Sequence, residues 1–254
     1  MKKIGLFLSA LAFTAFGLQA QDADKIINEY FEVTGGAENW EKLKGIQMEA
    51  KVNQGGMEIP ITVIQMADNR ELIAISLQGQ EFVQSAYDGK SLWSTNFQTM
   101  KAEMADEETL KNKQREDGDF PDALLHRKKN GYKAEYVGKE TIEGTECHKI
   151  KLTKKPQVVD GKEVENVEYY YFDTENSVLI AVEAEINSGP SKGSISQAMF
   201  SDYQEVEELY FPFSLSQGIK GSSLQPLEIT KIIVNPDVSG RNFSFPEEKA
   251  AAEE

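Results

Sequence analysis

The sequence predicts a mainly β chain of α+β class, a single curved antiparallel sheet with a few helices set against it. Three observations carry this. From Gly45 onward, apolar residues recur at every second position, the period of a half-buried strand. The connections between those runs are short and rich in Gly, Asn and Asp, so neighbouring strands pair antiparallel. Helical spacing is confined to the front of the chain and to one stretch in its middle.

The chain opens on Lys2 and Lys3, an apolar stretch from Ile4 to Leu18 and the small residue Ala20. That order is the signature of a secretory signal over residues 1–20, cleaved near Ala20. Its apolar part is too short to span a bilayer, and the polar residues Gln21, Asp22 and Asp24 follow at once. No cysteine stands near the cleavage point to carry a lipid anchor. Residues 21–254 are expected to form one domain, long enough to bury a core of its own. The single cysteine, Cys147, cannot make an internal disulfide, so packing and hydrogen bonds must hold an exported fold unaided. A formal charge of −15 repels nucleic acid and anionic membrane and favours solubility or a basic partner.

Ala23, Ile26, Ile27, Tyr30 and Phe31 share one helical face, Asp22 can cap the start, and Gly35 and Gly36 stop the helix. A second short helix, residues 37–44, carries Trp40 and Leu43 on its apolar side. A hairpin follows, Ile46 to Val52 and Met57 to Val63 about the turn Asn53 to Gly56. Strands come next at residues 71–77 and 81–87, and Asp88-Gly89-Lys90 turns into a strand with Leu92 and Trp93. The stretch from Thr99 to Asn130 is charged and lacks alternation. It reads as two short helices, residues 106–115 and 121–128, lying across the sheet or at its rim. Strands resume at Tyr132 and run, with short turns, to Val234, giving about ten strands in a barrel or part barrel. A sheet with one apolar face must cover it. The helices at the front and in the middle either fill its concave side or leave gaps that a lipid-like ligand can occupy.

An enzyme needs a nucleophile, a base or a metal, and the sequence offers little. There is no HExxH, CxxC, GxSxG or glycine-rich loop entering a helix. His148 is in phase with Ile150 and Leu152, which reads as a hydrogen-bonded core residue. His126 stands in the basic run His126-Arg127-Lys128-Lys129, which reads as a solvated helix end. Cys147 and His148 are adjacent on a strand and face apart, so they cannot form a nucleophile–base pair. Acids abound, but a glycosidase needs two across a cleft. No cofactor or metal is implied. The aromatic residues Tyr169, Tyr171, Phe211, Phe213, Trp40 and Trp93 suit a packed core or an apolar pocket equally.

Several short stretches resemble a known family. They are Tyr30-Phe31 followed by Gly35-Gly36 and Trp40; Asn69-Arg70; Tyr87-Asp88-Gly89-Lys90 with Trp93; Val137-Gly138 and Glu143-Gly144 before Cys147-His148-Lys149-Ile150; Tyr171-Phe172-Asp173; Ser201-Asp202-Tyr203 leading to Phe211-Pro212-Phe213; and Asn242 to Pro246. Together they cover nearly the whole chain after the signal and resemble the LolA/LolB-like superfamily of outer-membrane lipoprotein-sorting proteins. The turn before Arg70 lacks the proline usual in the carriers, and the charged segment Lys101 to Lys129 is an extension. The resemblance implies an unclosed barrel of about eleven antiparallel strands with lid helices over an apolar cavity. It further implies a periplasmic, non-enzymatic protein that carries lipoprotein or lipid acyl chains between membrane-associated donor and acceptor proteins. Ile26, Tyr30, Phe31, Trp40, Trp93, Tyr171 and Phe213 are then expected to line or close the cavity, and Arg70 to hold the lid by bonding helix carbonyls. A packed envelope module without ligand and a hydrolase with an unrecognised carboxylate pair are the readings that compete with it.

Overall fold

The computed structural model describes residues 22–246. The signal predicted over residues 1–20 and the tail beyond residue 246 lie outside the described residues. Residues 22–33 form helix α1 and Ala37–Glu41 form α2. Six strands follow in a meander: β1 (Gly45–Gln54), β2 (Met57–Met66), β3 (Glu71–Leu77), β4 (Gln80–Tyr87), β5 (Leu92–Asn96) and β6 (Lys101–Met104). Helices α3 (Glu107–Arg115) and α4 (Ala123–Asn130) come next, then β7 (Lys133–Ile142), β8 (Thr145–Thr153), the small hairpin β9 (Gln157–Val159) and β10 (Lys162–Val164), and β11 (Val167–Asp173). The chain closes with β12 (Leu179–Glu185), β13 (Ile195–Val206), β14 (Leu209–Ile219) and β15 (Gln225–Val234).

Thirteen of these strands make one antiparallel sheet in the order β6-β5-β4-β3-β2-β1-β15-β14-β13-β12-β11-β8-β7. The count exceeds the expected eleven. Strand β6 has only four residues and buries none of them, so it carries no alternation to read, and its charges suit an unpaired edge. The chain starts in the middle of the sheet, walks out to one edge at β6, crosses to the other edge at β7, and walks back until β15 pairs with β1. The two edges do not pair, so the barrel stays open, and the crossing segment carries α3 and α4.

The sheet must curl strongly. Gln65 of β2 and Tyr170 of β11 line one cavity, yet their strands stand six positions apart in the sheet order. A flat sheet would separate them by about 29 Å at the usual strand spacing. Bulges at Glu49/Ala50, Ile73/Ala74, Tyr136/Gly138 and Tyr171/Phe172 supply local bends.

Register fixes which residues share a face. Ala50 pairs with Ile61 and Ile61 with Ile75, so these point inward with Met48, Val63 and Ile73. Ile64, Leu72, Ala74, Ala86 and Trp93 point outward and form a separate core with Phe243. The segment after β15 straps this outer face: Trp93 Nε1 donates to the Phe243 carbonyl at 3.0 Å, and the Arg70 guanidinium lies 4.9 Å from the Phe243 ring centre. Removing that strap by Phe243→Ala is expected to cost about 3 kcal/mol. It is also expected to raise acrylamide quenching of Trp93 while Trp40 stays protected, which urea titration and fluorescence of single-tryptophan variants would measure.

Candidate functional site

One end of the concave side is packed solid. The face of α1 predicted from its spacing, with Ala23 and Ile27 at 0% exposure, lies against β8, β11 and β14. Tyr30 meets Phe172 with ring centres 5.3 Å apart, and Trp40 meets Phe211 at 5.0 Å. The end of α1 is pinned by hydrogen bonds. Thr34 Oγ1 donates to the Tyr30 carbonyl at 2.7 Å, Trp40 Nε1 donates to the Thr34 carbonyl at 3.1 Å, and the Tyr210 amide donates to that same carbonyl at 3.0 Å. Gly35 is required here: at φ +112 a Cβ would stand 2.2 Å from the Glu208 carbonyl oxygen.

This gathers Ile26, Tyr30, Phe31 and Trp40 in one core, with Phe213 partly buried at its margin. The other candidates lie elsewhere. Trp93 belongs to the strapped outer face. Arg70 bonds Asp68 through Nε at 2.9 Å and, among the described residues, bonds no helix carbonyl. Tyr171 points outward, buried with Cys147 and Ala181, and donates to Glu183 at 2.9 Å. The Cys147 thiol is pushed up to about 11 by burial and then by Asp173. His148 faces inward at the rim, its Nδ1 3.4 Å from the Tyr136 hydroxyl.

Beyond the packed end the concave face is apolar and only partly covered. A row of side chains runs directly across five strands, Phe200–Leu215–Leu227–Val52–Ile59, each paired with the next. A parallel row, Ile61–Ile75–Phe82, continues the same face across β2, β3 and β4. All of these side chains are partly exposed, and the outward face is buried only at the β2–β5 end, at Ile64, Leu72, Ala74, Ala86 and Trp93. Beside the rows lie two cavities of about 450 and 640 Å³, contiguous through Glu168, Val182 and Ala198. Both fall within the roughly 300–1,000 Å³ of small-molecule sites.

The wall of the smaller cavity is polar, and residues 116–122 between α3 and α4 build it. Lys154, with a side chain 8% exposed, stands 3.0 Å from Asp119 and 3.4 Å from Glu168. Burial opposes its charge, yet Glu168 and Asp119 hold its ammonium above the ordinary lysine range. Tyr132 donates to Asp119 at 2.7 Å, Tyr170 donates to Glu168 at 2.6 Å, and Lys113 donates to Glu71 at 2.7 Å. Asp122 caps α4 by accepting from the Leu124 amide at 2.7 Å, and burial pushes its carboxyl up to about 6.

A buried arginine ties the two inward helices together. Arg127 Nη2 reaches Asp24 of α1 at 2.5 Å while its Nη1 donates to the Leu124 carbonyl of α4 at 2.6 Å. Lys128 joins Asp24 from the solvent side at 2.7 Å. Burial pushes against it, but bonds from Lys128 and Arg127 hold Asp24 below the usual carboxylate range. No local pattern points to this latch, because Arg127 sits in a basic run that reads as a solvated helix end. Among the described residues no group of His, Cys, Asp and Glu is arranged to hold a metal ion, and no helix is long and apolar enough to cross a membrane.

The sequence matches no protein-family model and no curated protein. The fold does have solved counterparts. It is similar to a DUF1329 family protein from Desulfovibrio piger, with a TM-score of 0.55 and 10% identity, covering 89% of this chain and 97% of that one. A LolA superfamily protein from Nitrosomonas europaea aligns with a TM-score of 0.53 and 10% identity, covering 87% and 97%. A putative outer membrane lipoprotein-sorting protein domain from Vibrio parahaemolyticus aligns with a TM-score of 0.50 and 8% identity, covering 88% and 97%. The likeness is one of fold, at an identity too low to carry residue roles.

Two outcomes follow from the latch and the cap. Arg127→Met leaves the partly exposed Asp24 carboxylate with Lys128 as its remaining cation and is expected to cost about 1–2 kcal/mol in urea unfolding. Asp122 has a carboxyl at about 6 in the fold against an ordinary 3.8. Between those values the folded state binds the extra proton, so this group's contribution to stability falls as pH rises through the window. Asp122→Asn keeps a capping side chain. It should therefore match the parent near pH 4 and exceed it by about 2 kcal/mol above pH 6 in the same titration.

Proposed function

We propose that this chain is a non-enzymatic periplasmic carrier that shields the acyl chain of a lipoprotein or related lipid inside the open concave side of its sheet. The observation that supports this most is the row Phe200–Leu215–Leu227–Val52–Ile59, five paired and partly exposed apolar side chains, the first of which lines the smaller cavity. A sheet face of this kind, left in water, forfeits the burial that the outer face obtains under its strap. An acyl chain laid along it gains about 0.8 kcal/mol per methylene removed from water. The cargo site lies next to the helical plug and not within it, so Ile26, Tyr30, Phe31 and Trp40 form the back wall and Phe213 the threshold. Release to a membrane-associated acceptor, and loading from a donor, require α1 and α4 to shift, with Arg127 and Asp24 as the contact that must break. Arg70 and Trp93 serve the strap. The fold shared with LolA superfamily and lipoprotein-sorting proteins supports the same reading, as does the secretory signal read from the sequence.

Native mass spectrometry of the protein purified without detergent tests this. A bound species of lipid mass, lost on organic extraction, is the expected result. A clean apo mass, together with failure of added acylated peptide to bind, would favour a ligand-free envelope module instead. Leu215→Asp puts a carboxylate in the middle of the row at a partly exposed site. It is expected to leave the fold intact by circular dichroism and to weaken acyl binding by about 2 kcal/mol, roughly thirtyfold.

A further inference from the structure

The apolar row is one side chain wide. Successive inward positions on a strand lie two residues apart, so a member of the row has an inward neighbour on either side along its own strand. Toward the packed end those neighbours are Phe213, Ile229 and Ala50, part of the core that α1 covers, with Ile229 and Ala50 at 4% and 2% exposure. Toward the hairpin tips they are Gln217, Gln225 and Gln54, three exposed amides on strands that are neighbours in the sheet. Gln217 pairs directly with Gln225, whose amide donates to the Asn53 carbonyl at 3.0 Å. None of these inward positions is charged, in a chain whose formal charge is −15. The charges of the same strands, Glu49, Lys51, Glu58 and Glu228, alternate with them and so point outward.

The row also has two distinct ends. Phe200 lines the smaller cavity, and Ala198 two residues away lines both cavities, so this end opens into room for a polar head. At the other end the pairing of β2 with β3 begins only at Ile61–Ile75, so no paired residue carries the row beyond Ile59. Four strand spacings make the row about 19 Å long, the extended length of a chain of about sixteen carbons. We infer that the row is a ruler for a single unbranched chain of about sixteen carbons, laid across the strands with its head at Phe200 and its methyl end at Ile59. The inference rests on the carrier reading and adds to it the number and length of the chains held on this face. A strip with packed core on one side and amides on the other has no apolar width for a second chain. Its lack of charge suits a hydrocarbon, beside which a charged group would lose its hydration without a partner.

Displacement of a fluorescent acyl probe by N-acylated triglycine with chains of six to twenty carbons reads the ruler, because the head is constant. Each ligand is used below the concentration at which it self-associates. Affinity is expected to rise about two- to fourfold per added methylene, fourfold being complete burial, and to level off at about sixteen carbons. Ile59→Ser takes one strand spacing, about four methylenes, off the far end. It is expected to bring the break to about twelve carbons while leaving the affinity of shorter chains unchanged. Val52→Ser, one strand nearer the head, is expected to bring it to about eight, and stands in should Ile59→Ser fail to fold by circular dichroism. A rise that continues unbroken to twenty carbons, or a break that ignores both substitutions, would overturn the ruler and leave the carrier reading standing. Failure of the probe itself to bind, or of every chain to displace it, would overturn both.

Discussion

The pairing of β1 with β15 is the contact on which the architecture depends. It joins the first strand of the chain to the last across nearly 190 residues, Ile46 to Val234, and fuses two meanders into one sheet. Once those strands are side by side, the remaining order is forced. The first meander grows outward to β6, the second must begin at the far edge with β7 to end beside β1, and the crossing has to pass over the opening. Helices α3 and α4 and the polar wall between them therefore stand at the mouth of the bowl as a consequence of topology. Long-range pairing of this kind is entropically costly and slow to form. The short hairpin turns within each meander offset that by making every other pairing local.

Strand alternation made most of the sheet legible, because each run carried a face that is half buried. What alternation could not supply was the side of the sheet that each face looks toward. Tyr169, Tyr170, Tyr171 and Phe172 are aromatic in succession, so β11 is apolar on both faces, and nothing local distinguishes Tyr170 and Phe172, inward, from Tyr171, outward. Trp93 is ambiguous for the same reason: its partner strand has buried Ala86 beside buried Tyr87, on opposite faces. Only the register back to Ala50 and the α1 core decides. Strand β6 escaped notice because an edge strand with exposed faces has no pattern, and the β9–β10 hairpin because three-residue strands are too short to show one.

Charged residues were the least legible part. A basic run on a helix is ordinarily solvated, and Lys128 and Lys129 are exposed as that rule expects. Arg127, one residue earlier, turns inward because its long apolar stem can lie on the core while the guanidinium reaches Asp24 and the Leu124 carbonyl. The acidic stretch from Glu116 to Asp122 lies in a charged segment without alternation, which gives no sign of burial. Its burial depends on Lys154, Tyr132 and Tyr170, which come from β8, from the turn before β7 and from β11, so no local window of sequence could contain the signal.

The division of the bowl into a packed end and an open end follows from how stability is distributed. A chain with a single cysteine has to obtain its net stability from burial and hydrogen bonding without an internal disulfide, and that net is a small difference between large terms. Here the burial is concentrated where α1, α2 and the aromatic pairs Tyr30–Phe172 and Trp40–Phe211 meet the sheet, and again under the Phe243 strap. The row from Phe200 to Ile59 touches the first of these cores through Phe200 and Leu227, while its side chains stay partly exposed. That exposure is the free energy available to a cargo. The latch at Arg127 joins α1 to α4 on the inner side of the sheet, away from the strap on the other face. The burial that keeps the chain folded is thereby separate from the burial that the proposed carrier role would trade with a ligand.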